Sequence, residues 1–299
     1  MIKLTEKRAL SWPPLLYLIL MFMVPMGLML IIAFMEPGDY GGVKPLISHI
    51  NGKLHLDLNL DSFILVFSSE FVWQLMVRSI IYSLVTTIIC LILSYPLSLM
   101  IARSAKKYRD ILLLLVIIPF WSCFLIRVYA WMIILGPDSG VTHIINSIIS
   151  VLGFPPVNLL YSTFAVIICL VYVNLPFMIL PLYANLEKHE MDLLDAGRDL
   201  GATRFQLFWK VTVPLSLPGV LVGSALVFIP CIGMFVVPEL VGSNCSLMIG
   251  NLIKQQFLQG MNWPLGTVTS IVMTVSVLSI SLIVGFIAKN SNGFKYASK

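Results

Sequence analysis

Apolar residues along this chain run in long blocks separated by short polar stretches. Six blocks, roughly residues 15–35, 79–102, 111–135, 161–185, 218–238 and 267–288, reach the length of about 20 residues that a membrane-crossing helix needs. Between them the pattern changes. Leu54, Leu56, Leu58 and Leu60 alternate with His55, Asp57, Asn59 and Asp61, a period of two that predicts a short half-buried strand. Phe63–Met76 then predicts an amphipathic segment on the outer surface. Gly-Pro and Pro-Pro pairs punctuate residues 136–160 and predict loop plus a short interfacial helix. Within 239–266, a partly re-entrant helix is expected around Ile249–Leu258. The first block follows Lys3, Lys7 and Arg8 as a secretion signal would, but its apolar run is too long and no small-x-small cleavage site follows. A first membrane helix is expected there, with Trp12 at the interface.

Composition agrees with the blocks. Hydrophobic residues make up 59% of the 299, charged residues only 11%, and the mean hydropathy is +0.96. A soluble domain carries about a quarter charged residues, so lipid must cover much of this surface. Orientation follows from Lys and Arg in the short loops. With the N-terminus inside, the inner segments hold Lys3, Lys7, Arg8, Arg103, Lys106, Lys107, Arg109, Lys188, Arg198, Arg204, Lys210, Lys289, Lys295 and Lys299. The outer ones hold Lys44, Lys53 and Lys254, with Arg78 and Arg127 in or beside helices on the outer half. Both termini are therefore expected in the cytoplasm.

Little catalytic chemistry is legible. The five cysteines and four histidines show no metal-ligand spacing or disulfide framework, and the cysteines read as small apolar fillers. There is no HExxH, no GxSxG and no pair of intramembrane carboxylates, which argues against a membrane-embedded enzyme. Nor is there a Walker A sequence, so any ATP must be hydrolysed by another polypeptide. A secondary transporter would often show inverted repeats or midplane charges, and neither is evident.

The cytoplasmic segment 186–218, LEKHEMDLLDAGRDLGATRFQLFWKVTVPLSLP, is different. Glu187, Glu190, Asp192 and Asp195 precede a short helical pattern in which Leu193, Leu194, Ala196 and Leu200 share one broad face, and acidic groups in a first turn suit the helix dipole. Gly201 is placed to end that helix in a left-handed conformation. Phe205–Val211 forms a second amphipathic stretch leading to Pro214 and Pro218. Two short helices with unspent apolar side chains make a docking surface, since each buried Leu or Phe contributes about 1.5–3 kcal/mol. On these grounds alone, a hairpin that merely caps the bundle is an equal alternative.

This segment resembles the signature loop of ABC import permeases, Glu-Ala-Ala-x₃-Gly-x₉-Ile-x-Leu-Pro. Here it runs Asp195-Ala196-Gly197, Gly201, nine residues, then Val211-Thr212-Val213-Pro214. Asp stands for Glu, Gly for the second Ala, and Val for both Ile and Leu, while the Gly and Pro frame is intact. The resemblance implies that Asp195, Ala196, Gly197, Gly201, Val211 and Pro214 belong to a coupling helix seated in a groove of an ATPase. Pro119-Phe120-Trp121, Leu125–Trp131, Leu175-Pro176-Phe177, Pro181-Leu182-Tyr183 and Asn262–Gly266 are similar to spermidine/putrescine permeases of the PotB type. The outer loop at 36–57 is longer than usual for that family.

A cationic polyamine would be recognised by carboxylates and aromatic faces. The candidates are Glu239, placed by the sequence at the end of the fifth span, with Trp121, Tyr129, Trp131, Tyr172 and Phe235; an interfacial carboxylate and ordinary core aromatics are the plainer alternative. Arg127, within the third span, is expected to tie helices together through carbonyls or a carboxylate. The resulting expectation is an all-α, six-helix permease of type I ABC importer fold in a bacterial inner membrane. Residues 1–77 hold the first helix and outer loop, 78–286 the five-helix core, and 287–299 a tail. The resemblance implies a second homologous permease, two cytoplasmic ATPase subunits binding ATP and magnesium, an extracytoplasmic binding protein, surrounding lipid, no cofactor on this chain and no nucleic acid. The same machine carrying thiamine, ferric ion or an oxyanion is the alternative cargo reading.

Overall fold

The computed structural model describes residues 4–39, 41–50, 53–56, 58–151, 153, 155–188 and 191–290. Helices dominate it. Six stretches are long and apolar enough to cross a membrane: Trp12–Ala33, Glu70–Arg103, Phe124–Val151, Thr163–Leu186, Arg204–Ile232 and Trp263–Phe286. The chain divides into two units, Met1–Trp73 with Leu252–Thr274, and Gln74–Asn251 with Val275–Lys299.

The first unit opens with α1 (Leu4–Ala33), whose apolar side chains from Leu15 to Val24 are all at least half exposed. No water-facing helix keeps such a surface, so lipid or another subunit must cover it. A small antiparallel hairpin follows, β1 (Ile47–Ile50) with β2 (Lys53–Leu56), paired Ile47 to Leu56. The expected strand is thus present but stops at Leu56, and its partner is a strand the alternation did not reveal. Asp57 lies outside the described residues. The amphipathic stretch expected over 63–76 divides at Ser69, whose backbone is extended. Before it is α2 (Asp61–Ser68). After it, α3 (Glu70–Arg103) begins nine residues earlier than the second apolar block.

The second unit holds most of the chain. Along α3, Ser79, Ser83, Thr86, Thr87, Cys90, Ser94 and Ser98 are all buried, a polar stripe inside an apolar helix. Several hydroxyls bond back to the carbonyl four residues earlier, as Ser79 does to Leu75 and Thr87 to Ser83, the usual resource of Ser and Thr in membrane helices. Ser98 instead reaches across to the Ile179 carbonyl at 3.2 Å. Small polar groups of this kind let helix backbones approach closely.

The third apolar block, 111–135, is not one rod. It comprises α4 (Lys106–Ile117), a 3₁₀ turn Ile118–Trp121, and α5 (Phe124–Leu135). Pro119 has no N–H to give, and Ser122 and Cys123 are extended, with ψ of 147° and 136°. A short helix is present in the region where one was expected, α6 (Gly140–Val151), and with α5 it makes up the third of the six stretches above. Next, α7 (Thr163–Leu186) starts at a Ser162 cap that accepts from the Ala165 N–H, and it is the most buried of the six long apolar stretches. Its main partner is α10 (Val213–Ile232). They touch so closely that a β-carbon on Gly223 would lie 2.7 Å from the Met178 sulfur. Val128, Cys169, Leu170, Val173, Cys231, Val237 and Met248 form the core around them.

After α10, the backbone turns at Gly233–Phe235 into α11 (Val236–Val241). The fifth span therefore ends at Ile232 rather than 238, because the chain leaves helical geometry at Phe235, where φ is −120°. The helix expected around 249–258 is present as α12 (Ile249–Leu258), and α13 (Trp263–Asn290) is the last.

Candidate functional site

Segment 186–218 folds as its residue types dictate. Helix α8 (Met191–Asp199) is followed by α9 (Arg204–Leu207). Glu190 lies outside the described residues, leaving Asp192 as the acidic residue of the first turn, where it favours the helix dipole. Asp195, one turn later, pairs with Arg198 at 2.7 Å on the exposed surface. The four apolar residues read as one face divide: Leu194 is buried against the body, while Leu193, Ala196 and Leu200 are exposed.

Gly201 closes α8 with φ of +80°. Its N–H donates to the Arg198 carbonyl at 2.8 Å, and the Ala202 N–H donates to Gly197 at 3.1 Å. These are the two bonds of a Schellman cap. Gly197, where the family pattern has Ala, gives room to the neighbouring helix: a β-carbon there would stand 2.4 Å from a Leu207 methyl. Thr203 then starts α9 with a capping box. Its hydroxyl accepts from the Gln206 N–H while the Gln206 side chain accepts from the Thr203 N–H, a reciprocal pair that fixes the entry angle.

From α9 the chain continues without a break through a wide π turn, Phe208–Thr212, into α10. The second amphipathic stretch is therefore the first part of the fifth span, not a separate helix before it. Pro214 cannot donate to a carbonyl in the preceding turn, and the wide turn holding Val211 lies directly before it. Phe208 packs edge-on against Tyr95 of α3, 5.4 Å between ring centres, and the Tyr95 hydroxyl meets Ser216 at 2.9 Å. Outward, the hairpin presents Leu200 at 88% exposure, Phe205 at 73% and Trp209 at 55%.

One ionic contact anchors the start of this segment. Arg109 of α4 binds the Glu187 carboxylate just past α7 and also reaches the Ala102 carbonyl. A hydrogen bond from Tyr183 holds the Glu187 carboxyl below its ordinary range; partial desolvation opposes this and the Arg109 charge adds to it.

The path candidates are not gathered into one site. Trp131 and Tyr172 pack edge to face, 5.6 Å apart, against the central core. Trp121, Tyr129 and Phe235 are exposed. Glu239 is exposed in the middle of α11, one turn after Phe235, whose carbonyl its N–H meets at 3.1 Å. It does not end the fifth span. Helix α11 packs on α5 and α7, which carry Tyr129, Trp131 and Tyr172. Arg127 contacts neither carboxylate nor carbonyl among the described residues. Its guanidinium lies over the rings of Phe120 and Phe124, 5.4 and 6.0 Å from their centres, and its Nε is buried without a hydrogen bond. An aromatic clamp takes the place of the expected polar tie.

The model of the family described as "binding-protein-dependent transport system inner membrane component" matches residues 94–292. The spermidine/putrescine transport system permease protein PotB of Haemophilus influenzae is 45% identical over 204 residues, covering 68% of this chain and 70% of that protein. Its Escherichia coli namesake is 40% identical over 214 residues, covering 71% and 76%. Among solved structures, a bacterial ABC transporter involved in the import of the acidic polysaccharide alginate superposes with a TM-score of 0.66 at 20% identity, covering 97% of this chain and 98% of that one. The MetNI methionine ABC transporter in an inward-facing form gives 0.54 at 21% identity, covering 74% and 98%. At such identities these two establish the fold alone.

Proposed function

The chain belongs to the family of binding-protein-dependent transport system inner membrane components, and from that premise we propose that it is the permease subunit through which a bacterial cell imports polyamines. It is a multi-pass inner-membrane protein with the six-helix permease fold, a transport subunit rather than an enzyme. The observation that carries the cargo is the 45% identity to a spermidine/putrescine permease. It is matched by a chemistry suited to cations: an exposed carboxylate, Glu239, one turn from an exposed Phe235.

A path formed between two permeases would be lined by side chains that are exposed in one subunit, and Glu239, Trp121, Tyr129 and Phe235 fit that description. Trp131 and Tyr172 are core residues that would only shape its wall. The partners follow from the same reading: a second homologous permease, two ATPase subunits carrying ATP and magnesium, and an extracytoplasmic binding protein. The exposed Leu200, Phe205 and Trp209 are the side chains that would enter the ATPase, with Asp195, Ala196, Gly197, Gly201, Val211 and Pro214 setting their geometry.

The test is uptake of radiolabelled putrescine and spermidine in cells lacking this gene. The wild-type gene restores it, and Glu239→Gln restores about a tenth, since a charge-assisted contact contributes about 1.5–3 kcal/mol. Wild-type uptake by Glu239→Gln removes that residue from the path. Restored uptake of thiamine, ferric ion or an oxyanion, with no effect on polyamines, overturns the cargo.

A further inference from the structure

Behind the coupling hairpin lies a cavity of about 400 Å³, lined by Arg103, Arg198 and Arg204 with Leu194, Leu207 and Phe208. The three arginines come from three places in the fold: the last residue of α3, the end of α8 and the first residue of α9. Arg198 is paired with Asp195, but Arg103 and Arg204 have no carboxylate within ion-pairing distance among the described residues. All three arginines are exposed, so water screens their charges, but guanidinium groups converging on one cavity make a positive site that an anion can occupy.

The anion's source is indicated by where the cavity lies. Arg103 is the residue at which α3 leaves its apolar run, so the site is at the edge of the hydrocarbon layer. Its other wall is apolar, formed by Leu194, Leu207 and Phe208. Basic pockets at helix ends on the side where Lys and Arg accumulate are suited to anionic lipid, and a guanidinium matches a phosphate oxygen pair in a planar fork. We propose that Arg103, Arg198 and Arg204 bind the phosphate headgroup of an anionic phospholipid, which ties the end of α3 to the coupling hairpin. The inference rests on reading residues 186–218 as the coupling segment. The lipid then bridges a membrane helix and the element that receives the ATPase stroke.

The experiment uses the whole importer, purified in mild detergent and exposed to equal phosphatidylglycerol and phosphatidylcholine, with retained lipid counted by mass spectrometry. The wild type is expected to retain at least fivefold more phosphatidylglycerol. Arg103→Gln/Arg204→Gln is expected to lose at least two-thirds of it, whereas Lys106→Gln, a nearby basic residue outside the cavity, retains it. Undiminished retention in the double variant, or equal loss with Lys106→Gln, overturns the site. So does displacement by millimolar inorganic phosphate, which would make the ligand a free anion. Loss of the ATPase from the double variant would make these arginines a protein contact instead. Leu200→Ala, which trims an exposed side chain outside the cavity, is expected to lower ATPase co-purification while lipid retention stays at the wild-type level, so failure of the coupling reading and failure of the lipid site give different results.

Discussion

At the scale of single residues, Gly201 carries the sharpest expectation. Its φ of +80° belongs to a conformation that residues with a β-carbon reach at a cost of roughly 1–2 kcal/mol. The space around it is open, with nothing within 4 Å of a would-be β-carbon, so the penalty for replacement is conformational rather than steric. Gly201→Val should therefore break the two cap bonds and reorient Leu200 and Phe205, while α7 and α10, packed elsewhere, still fold. Membrane-inserted protein should remain near normal abundance, and ATPase co-purification and transport should both fall several-fold. Gly201→Asn, better able to adopt the left-handed turn, should keep most of both. Normal transport by the Val variant with its ATPase fully bound would remove the coupling assignment. The need for a left-handed residue at 201 was legible in the sequence, because a helical pattern stopping at Gly has few other solutions. The Gly197–Leu207 contact was not: that a missing methyl on one helix makes room for a methyl on the next appears only once both are folded.

At the scale of elements, the Arg109–Glu187 contact joins α4 to the end of α7, directly before the hairpin proposed to couple to the ATPase. Arg109 is mostly buried, and its Nε makes no hydrogen bond. Removing its carboxylate partner would leave a largely desolvated charge uncompensated, which is more harmful than replacing both. Glu187→Gln should lower the melting temperature of the purified importer by a few degrees and loosen ATPase coupling. Because the Glu187 carboxyl is held below its ordinary value of 4.5, its contribution is complete above that value and disappears as pH falls through the lowered one. The gap between wild type and Glu187→Gln should thus be constant from pH 8 to pH 6 and close only in acid below 4.5. A gap that closed between pH 7 and 6 would contradict the assignment. The sequence placed most helices correctly because their length and apolarity overwhelm other signals. It misplaced their interruptions, at Ile118–Cys123 and Gly233–Phe235, because an apolar run looks the same whether the backbone inside it is straight or turned. Pro119 marked the first break; at the second, neither Gly233 nor Pro230 and Pro238 distinguished a turn from a kink.

At the scale of the whole molecule, the proposed function turns on which end of each helix would face the ATPase, and here sequence and structure contribute different halves of the answer. Structure fixes relative sides within the second unit. Arg78 of α3 donates to the Leu247 carbonyl, and the Ser79 hydroxyl accepts from the Ile249 N–H, so residues 245–249 lie at the early end of α3. Arg103, at its other end, lines cavities with the coupling segment. Twenty-five residues of helix at 1.5 Å each separate Arg78 from Arg103 by about 38 Å, more than the hydrocarbon thickness of about 30 Å. Cys245 and the coupling hairpin must therefore be on opposite sides of the membrane. Sequence supplies the absolute sense, since Lys and Arg concentrate on the side of the hairpin. Cys245 is exposed, as is Cys123, whereas Cys90, Cys169 and Cys231 are buried. With the other four cysteines replaced, a membrane-impermeant maleimide added to intact cells should label Cys245 and should leave a cysteine introduced at Lys106 unmodified until the cells are opened. Labelling at 106 but not at 245 would invert the protein and place the hairpin outside, beyond the reach of any cytoplasmic ATPase. Labelling at both without lysis would mean that α3 does not cross the membrane, and that the six apolar stretches had been given the wrong role.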